Sequence, residues 1–535
     1  MKKLLCLLLC GLLLLSSCSA QSGDSTDKGK TAPAADAAPA AEESNARYEG
    51  GGFATPEDAV LAYLAGLKNL DIGRMLSAYA WETQAEHYSF RDFILRAKGI
   101  DSTYVPGMPF TSGLLVSANL EQMRQMQVTA IYQALEVYLL RENHMSNTNT
   151  YSIKFENDAE IEAYFRLFSD SGRLQSLAAM DNIRFYSSDD VTGFNEKPEA
   201  GQERLRELYE KQTRQYGADE VRDIVVLFDA GKETLYAAPT AARYGEKWYL
   251  VNVSSFTSGM FGISVNEQAF CLVPDNMREY IPSWTPYQTA SLPESAAEPA
   301  RYEGSGFGTP EEAVAAYLEG LKNMDMRQML AAFAWETQAG RYSLKDLFLR
   351  NKSVYSDLCP RMPSADGTLD RFNLHAIRSR QARLIYNAIR AYVVKNTELY
   401  DRIVSMRIDL PAEEDVDAFI GLYSNARIPL LAAMTNIRAC APAEIAPAYD
   451  NENVREQLAA WQRIYGADEL RELIGAADLG SETIICNPLV ARYGERWYLV
   501  SVSGIAFSVL GVDLVHQAFI AMDGTFGQIT AALFR

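Results

Sequence analysis

The residues able to do chemistry are best judged in pairs, because the chain repeats itself. Residues 47–96 read RYEGGGFATPEDAVLAYLAGLKNLD…AWETQA…Y…LR, and residues 301–350 read RYEGSGFGTPEEAVAAYLEGLKNMD…AWETQA…Y…LR. A second echo joins ARYGEKWYLV at 242–251 to ARYGERWYLV at 491–500. The same order in both halves marks a tandem duplication. The four histidines, His87, His144, His375 and His516, stand opposite Arg341, Glu398, Glu121 and Glu267, so none is matched. A histidine general base or metal site common to both halves is thereby excluded, and one confined to a single half stays open. Cys359, Cys440 and Cys486 face Val105, Tyr186 and Ala237. No disulfide can be shared by the halves, and a pair private to the second half stays open. No CxxC or Cys/His spacing suggests a metal. Asp181 faces Thr435 inside an otherwise identical octapeptide, which argues against a shared catalytic acid there. No P-loop, GxSxG, HExxH or GxGxxG in a strand–helix context is present. No catalytic residue and no cofactor are therefore assigned.

One cluster of polar and aromatic residues is matched throughout. Trp81, Glu82, Thr83 and Gln84 answer to Trp335, Glu336, Thr337 and Gln338. On a helix Trp81 and Gln84 are neighbours at i and i+3, while Glu82 points elsewhere. Trp81, Glu82, Gln84, Trp335, Glu336 and Gln338 are the candidate ligand-binding residues. The competing reading makes Trp81 core and pairs Glu82 with Arg47, Arg96 or Arg184. Trp248, Tyr249, Trp497 and Tyr498 lie in strands apolar on both faces and read as core.

The elements that must position these residues follow in order. Thr55 as N-cap, Pro56 at the first helical position and Asp58 as capping-box acid start a helix, echoed by Thr309, Pro310 and Glu312. Val60, Tyr63, Leu64 and Leu67 give it one apolar face. A second helix is expected over 72–85 and a short third over 89–96. Residues 100–117 are irregular, 120–141 a long helix, 151–155 a strand, 158–168 a helix and 202–216 an amphipathic helix ending at Tyr-Gly-Ala-Asp. Strands are expected at 224–228, 234–238 and 248–253, with a hairpin turn at 243–246. Residues 274–300, rich in Pro, Ser, Thr and Glu, read as a linker.

Composition bounds the rest. With 48% hydrophobic residues the 535-residue chain can build sizeable cores. A net charge of -19 repels phosphate backbones and argues against a nucleic-acid partner. Lys2 and Lys3 precede the apolar run 4–15, which falls short of the ~20 residues that span a bilayer. The run ends in Leu15-Ser16-Ser17-Cys18, which resembles the lipobox of bacterial lipoproteins. The resemblance implies cleavage before Cys18, lipidation of Cys18, and anchoring to the bilayer on the extracytoplasmic side of the cell envelope. Residues 19–46 lack aromatic and branched aliphatic side chains and read as a disordered tether, reaching roughly 30 Å as a flexible coil.

Each half carries TPEDAVLAYLAGLKNLD or its near copy, then strands closing on GEKWYLV or GERWYLV. This order resembles the nuclear transport factor 2-like superfamily, the cone-shaped α+β fold also described as cystatin-like. The resemblance implies two tandem domains with a helical insertion in each: a signal peptide at 1–17, a tether at 18–46, a first repeat at 47–273, a linker at 274–300, a second repeat at 301–519 and a tail at 520–535. In that fold an early helix walls a cavity, where an aromatic plus an amide suit a ligand with a flat apolar body. The expected function is non-catalytic binding of a small apolar ligand, a peptide or an envelope protein. A structural pseudo-dimer without ligand, and a cavity enzyme of the isomerase-like class, are the alternatives.

Overall fold

Helix α1 (Pro56–Lys68) begins where its capping residues dictate: Thr55 Oγ1 accepts the Asp58 N–H at 3.1 Å. Its second-half equivalent closes the full capping box between Thr309 and Glu312. The computed structural model describes residues 47–101, 106–140, 152–169, 172–188, 191, 198–293, 301–355, 360–364, 367–400, 407–423, 427–513 and 515–533. The signal peptide, Cys18, the tether, His144 and Cys359 lie outside the described residues. From residue 47 on, the described chain belongs to one compact unit.

After α1 come α2 (Ile72–Leu76), α3 (Trp81–His87), α4 (Phe90–Ala97), β1 (Gly99–Asp101), the long α5 (Gly113–Leu140), β2 (Ser152–Lys154), α6 (Asp158–Ser169), β3 (Asp181–Tyr186) and α7 (Pro198–Tyr216). Strands β4 (Glu220–Asp223), β5 (Val225–Ala230), β6 (Glu233–Ala237), β7 (Thr240–Tyr244) and β8 (Lys247–Asn252) follow, then α8 (Phe256–Met260), β9 (Cys271–Leu272) and β10 (Gln288–Ala290). The second half runs in the same order: α9 (Pro310–Lys322), α10 (Met326–Leu330), α11 (Trp335–Arg341), α12 (Leu344–Asn351), β11 (Ser353–Tyr355), α13 (Asp370–Val394), β12 (Arg407–Asp409), α14 (Glu413–Tyr423), β13 (Thr435–Cys440) and α15 (Glu452–Tyr465). It closes with β14 (Glu469–Glu472), β15 (Ile474–Leu479), β16 (Glu482–Cys486), β17 (Leu489–Tyr493), β18 (Arg496–Ser501), α16 (Ile505–Val509) and β19 (Ile520–Asp523). The described strands pair antiparallel, in sheets ordered β10-β3-β5-β6-β9 and β4-β7-β8, with β13-β15-β16-β19 and β14-β17-β18 as their counterparts.

The halves are interlocked rather than strung side by side. Strand β1 pairs with β12, Ile100 opposite Ile408, and β2 pairs with β11, Ile153 opposite Val354. Helices α5 and α13 pack along each other. Arg91 of α4 bridges to Asp417 of α14 at 3.0 Å, and Lys345 of α12 pairs with Glu162 of α6. Each large core draws on both halves. One joins Phe90, Ile94 and Leu115 to Ile389 and Phe419. The other joins Ile131, Leu135 and Tyr164 to Phe348 and Phe372.

Several expected elements differ. The helix expected over 72–85 is split into α2 and α3, because residues 78–80 spend their backbone on β8. Leu250 N–H donates to Ala78 O at 2.9 Å and Ala80 N–H to Leu250 O at 3.0 Å. Helix α5 starts at Gly113, earlier than expected, inside the stretch read as irregular. The expected linker 274–300 carries structure over its described part. Trp284 is buried against Tyr186 and Phe261, which anchors the segment and lets β10 extend the sheet beside β3. The expected tail supplies β19, an edge strand on β16, and a helix at Phe526–Leu533. Strands β4 and β7 were not expected. The turn at 243–246 is present, with Gly245 at φ 61°.

Phe348 of the second half is fully buried among Phe155, Tyr164 and Phe165 of the first, at centroid distances of 5.8, 5.6 and 5.9 Å. Phe348→Ala is expected to lower stability by about 3–5 kcal/mol. Denaturant unfolding should show one transition, and hydrogen exchange should show lost protection in α6, in the opposite half. Two separate transitions, with α6 unaffected, would contradict shared cores.

Candidate functional site

The matched segments RYEG and AWETQA turn out to be two sides of one clasp. Glu49 accepts from Thr83 N–H at 2.8 Å and Thr83 Oγ1 at 2.7 Å. In return Glu82 accepts from the backbone N–H groups of Tyr48 (2.8 Å) and Glu49 (3.1 Å). Glu303, Thr337 and Glu336 repeat this in the second half. Burial alone would raise the Glu82 carboxyl, but the backbone N–H of Tyr48 and the charge of Arg327 bring it below the usual range. Arg327, from the opposite half, is its ion-pair partner, in place of the expected Arg47, Arg96 or Arg184. Trp81 is fully buried, stacks on Tyr79 at 5.0 Å and donates its indole N–H to Leu76 O at 2.7 Å. Trp335 does the same with Phe333 (4.7 Å) and Leu330 O (3.0 Å). Trp81, Glu82, Trp335 and Glu336 are thus engaged by the chain's own core and backbone. Gln84 and Gln338 differ: each is buried, and each has a side-chain oxygen without a hydrogen-bond partner.

Gln84 lines a cleft of about 300 Å³ in the first half. Its walls are α3 and α4 (Gln84, Tyr88, Phe93, Arg96), α5 (Met123, Met126, Gln127) and α7 (Leu208, Gln212, Gln215, Tyr216). Its floor is Val251 and Asn252 of β8 with Ser254, Ser255 and Phe256. The wall positions are fixed by local chemistry. Gly217 ends α7 in the left-handed region at φ +60°, where an added Cβ would stand 2.2 Å from His87 O, so only glycine fits. Ser89 N–H donates to Gln215 O at 2.7 Å and stitches α4 to α7. Gln127 Oε1 accepts Val253 N–H at 2.9 Å and ties α5 to the floor.

At the exposed rim, Arg96 donates Nε and Nη2 to Gln215 Oε1 at 3.0 and 2.7 Å, and Gln215 passes its amide to the Tyr88 hydroxyl at 3.0 Å. Gln212 Oε1 is buried without a partner. Among the described residues no Asp or Glu lines the cleft, and Arg96 is the one formal charge there.

The second half resolves the same place differently. Aligning Gly217 with Gly466 puts Trp461 at the position of Gln212 and Ile464 at that of Gln215. Trp461 stacks on Tyr465 at 5.7 Å, and Arg350, the counterpart of Arg96, lies over its ring at 5.3 Å. Ile464 is buried.

One pair of acids escaped the sequence reading. Asp223, at the end of β4, accepts from Thr240 Oγ1 at 2.9 Å and from the backbone of Phe256 and Thr257, the segment flooring the cleft. Glu472 holds the equivalent turn, accepting Ala506 N–H and the Tyr449 hydroxyl, each at 2.7 Å. Their signal was available, since both are acids at matched positions directly before apolar strands. Burial pushes the Asp223 carboxyl up to about 6, against the pull of Thr240 and the backbone donors.

Among the described histidines, His87 is exposed, His516 bonds Asp513 and Tyr400, and His375 is buried against Tyr302. Among the described residues no group of three or more His, Cys, Asp or Glu is placed to hold a metal ion, and no helix is long and apolar enough to cross a membrane. Cys440 and Cys486 are not disulfide-bonded.

No protein-family profile matches the chain, and no curated protein does. A crystal structure of a cystatin-like protein from Ruminococcus gnavus ATCC 29149 superposes with a TM-score of 0.50 at 12% identity, over 89% of this chain and 94% of its own. The fold is therefore mixed helix and antiparallel sheet of the cystatin-like kind.

The Asp223 carboxyl sets a pH test. Its pKa in the fold, about 6, lies above an unfolded value of about 4, so the folded state binds the proton more tightly. Its contribution to stability is complete below about pH 4 and is lost as pH rises through 6. Asp223→Asn removes this dependence. The stability of the variant relative to the parent should climb by on the order of 3 kcal/mol between pH 4 and 7. A constant difference in unfolding free energy across that range would refute the assignment.

Proposed function

We propose that the protein is a lipid-anchored, extracytoplasmic, non-catalytic binding protein of the bacterial envelope, with its ligand in the first-half cleft. It is read as two tandem nuclear transport factor 2-like domains, 47–273 and 301–519, whose inserted helices hold them together. The observation that carries this reading is Gln84, a buried residue that lines the cleft and whose side-chain oxygen is buried without a partner. Buried polar groups without partners cost stability and are rare unless something meets them. The lipobox-like Leu-Ser-Ser-Cys18 motif supports the anchor.

A structural role without ligand is the second reading, favoured by the interlocked cores and by the bulkier Trp461, stacked under Arg350, at the counterpart of Gln212. One comparison separates the two. Gln212→Trp with Gln215→Ile installs the residues the second half carries at these positions. A metabolite library screened by thermal shift should yield compounds that raise the Tm of the parent and leave the filled variant unmoved. A library that moves both proteins alike, or neither, favours the structural role.

The anchor has its own test. In a bacterial host, a clickable fatty acid should label the protein, and Cys18→Ala should lose the label and move from the membrane to the soluble fraction. Two or more acyl chains suffice for stable anchoring. Membrane retention of unlabelled Cys18→Ala would refute lipidation.

A further inference from the structure

We infer that the first-half cleft takes a carboxylate joined to an amide, as in an acylated amino acid or the C-terminal end of a peptide, and that the second half has no such site. The inference rests on the reading of the cleft as a ligand site.

Charge is the first argument. The chain carries a net charge of -19, yet among the described residues its cleft is lined by no acid and by one arginine. Arg96 is aimed by a neutral acceptor, Gln215 Oε1, which fixes the guanidinium without neutralising it. Among the described residues no carboxylate pairs with Arg96. A guanidinium so held offers its remaining N–H groups and its full charge to an incoming carboxylate, the partner its fork geometry matches best.

Hydrogen bonding is the second argument. Gln84 and Gln212 both line the cleft, and each has a side-chain oxygen buried beside it without a partner. A ligand amide presents one donor and one acceptor, so it satisfies a glutamine amide whichever way that side chain is turned. Phe93, Met123, Met126 and Phe256 offer apolar surface for a side chain. A volume of about 300 Å³ stands at the small end of ligand pockets, which suits one or two residues rather than a lipid tail.

The second half supplies the control. There Trp461 lies under Arg350 and takes the place of Gln212, and Ile464 removes the acceptor that aims Arg96 in the first half. Arg96 also lies over a ring, Phe93 at 5.7 Å, so the glutamine acceptor is what separates the two guanidinium groups.

The test is calorimetric titration of the purified full chain in detergent, with N-acetyl-L-leucine, its neutral analogue N-acetyl-L-leucinamide, and the peptide Gly-Gly-Leu. The acid is expected to bind at one equivalent per chain and about tenfold or more tighter than the amide. Arg96→Gln should remove that difference by weakening the acid alone. The double variant Gln212→Trp with Gln215→Ile should abolish binding of all three at unchanged thermal stability. Gly-Gly-Leu binding as well as N-acetyl-L-leucine identifies peptide ends as the source, and its exclusion identifies single acylated amino acids. Equal binding of acid and amide, insensitive to Arg96→Gln but lost in the filled variant, overturns the carboxylate and leaves the cleft reading standing. Two equivalents per chain overturn the restriction to the first half. Absence of binding by both acids overturns the proposal, and the library screen then decides the cleft reading by itself.

Discussion

The fold depends on a buried ion pair between its halves. Glu121 of α5 and Arg378 of α13, both almost fully buried, meet through two hydrogen bonds of 2.7 and 2.9 Å. Burial would push the carboxyl up, but the charges of Arg378 and Arg124 hold it at about 2. Glu136 and Arg361 form a second buried pair on the same helix, at 2.7 Å. Losing one partner of such a pair leaves an uncompensated buried charge, a penalty of roughly 3–5 kcal/mol. Tyr132 bonds Asn373, and Tyr386 bonds Asn119, at 3.1 and 3.0 Å. These contacts fix how far α5 slides along α13, which apolar packing alone would leave loosely specified.

The same seam explains the unmatched histidine. His375 stands where the repeat would place a second glutamate opposite Glu121. Burial, reinforced by Arg124, Arg378 and Arg371, drives its pKa well below the ordinary value, so it is neutral in the fold. Arg124 lies over the Tyr48 ring at 4.1 Å and donates to the Tyr302 hydroxyl at 2.8 Å. The duplicated helices therefore meet with one ion pair at their centre and an arginine–tyrosine stack beside it. Helix α5 carries both faces of the argument: Glu121 and Arg124 turn to the other half, while Met123, Met126 and Gln127 wall the cleft.

What the sequence made legible is local. Thr55 with Pro56 and Thr309 with Pro310 gave the helix starts, and the Tyr-Gly-Ala-Asp signal gave the ends of α7 and α15, because caps and left-handed glycines act within four residues. The pairing of β1 with β12 and of β2 with β11 was out of reach. Each strand has three residues, and their partners lie some three hundred or two hundred positions away. The matched AWETQA segment was visible, but its meaning was not, since Glu82 and Thr83 are retained to clasp residues 48 and 49. Of that segment Gln84 does reach the cleft. The other polar residues there, Arg96, Gln212 and Gln215, come from separate helices and belong to types that usually read as a solvated face.

The two halves also show what the fold prefers when nothing else intervenes. An open cleft forgoes packing contacts, and unpartnered amides inside it cost desolvation. The second half shows the cheaper arrangement, a tryptophan stacked between Tyr465 and Arg350 with a buried isoleucine one turn on. Trp461 and Ile464 replace Gln212 and Gln215, and other lining positions change too, Arg380 for Met126 and Ile505 for Phe256 among them, while the Gly217 and Gly466 turns and the glutamine tie to the floor are common to both. The first half keeps the costlier solution on the same scaffold. The unpartnered Gln338 oxygen persists in the second half, so the departure peculiar to the first half is at Gln212 and Gln215, and such a local departure is where function is expected to reside.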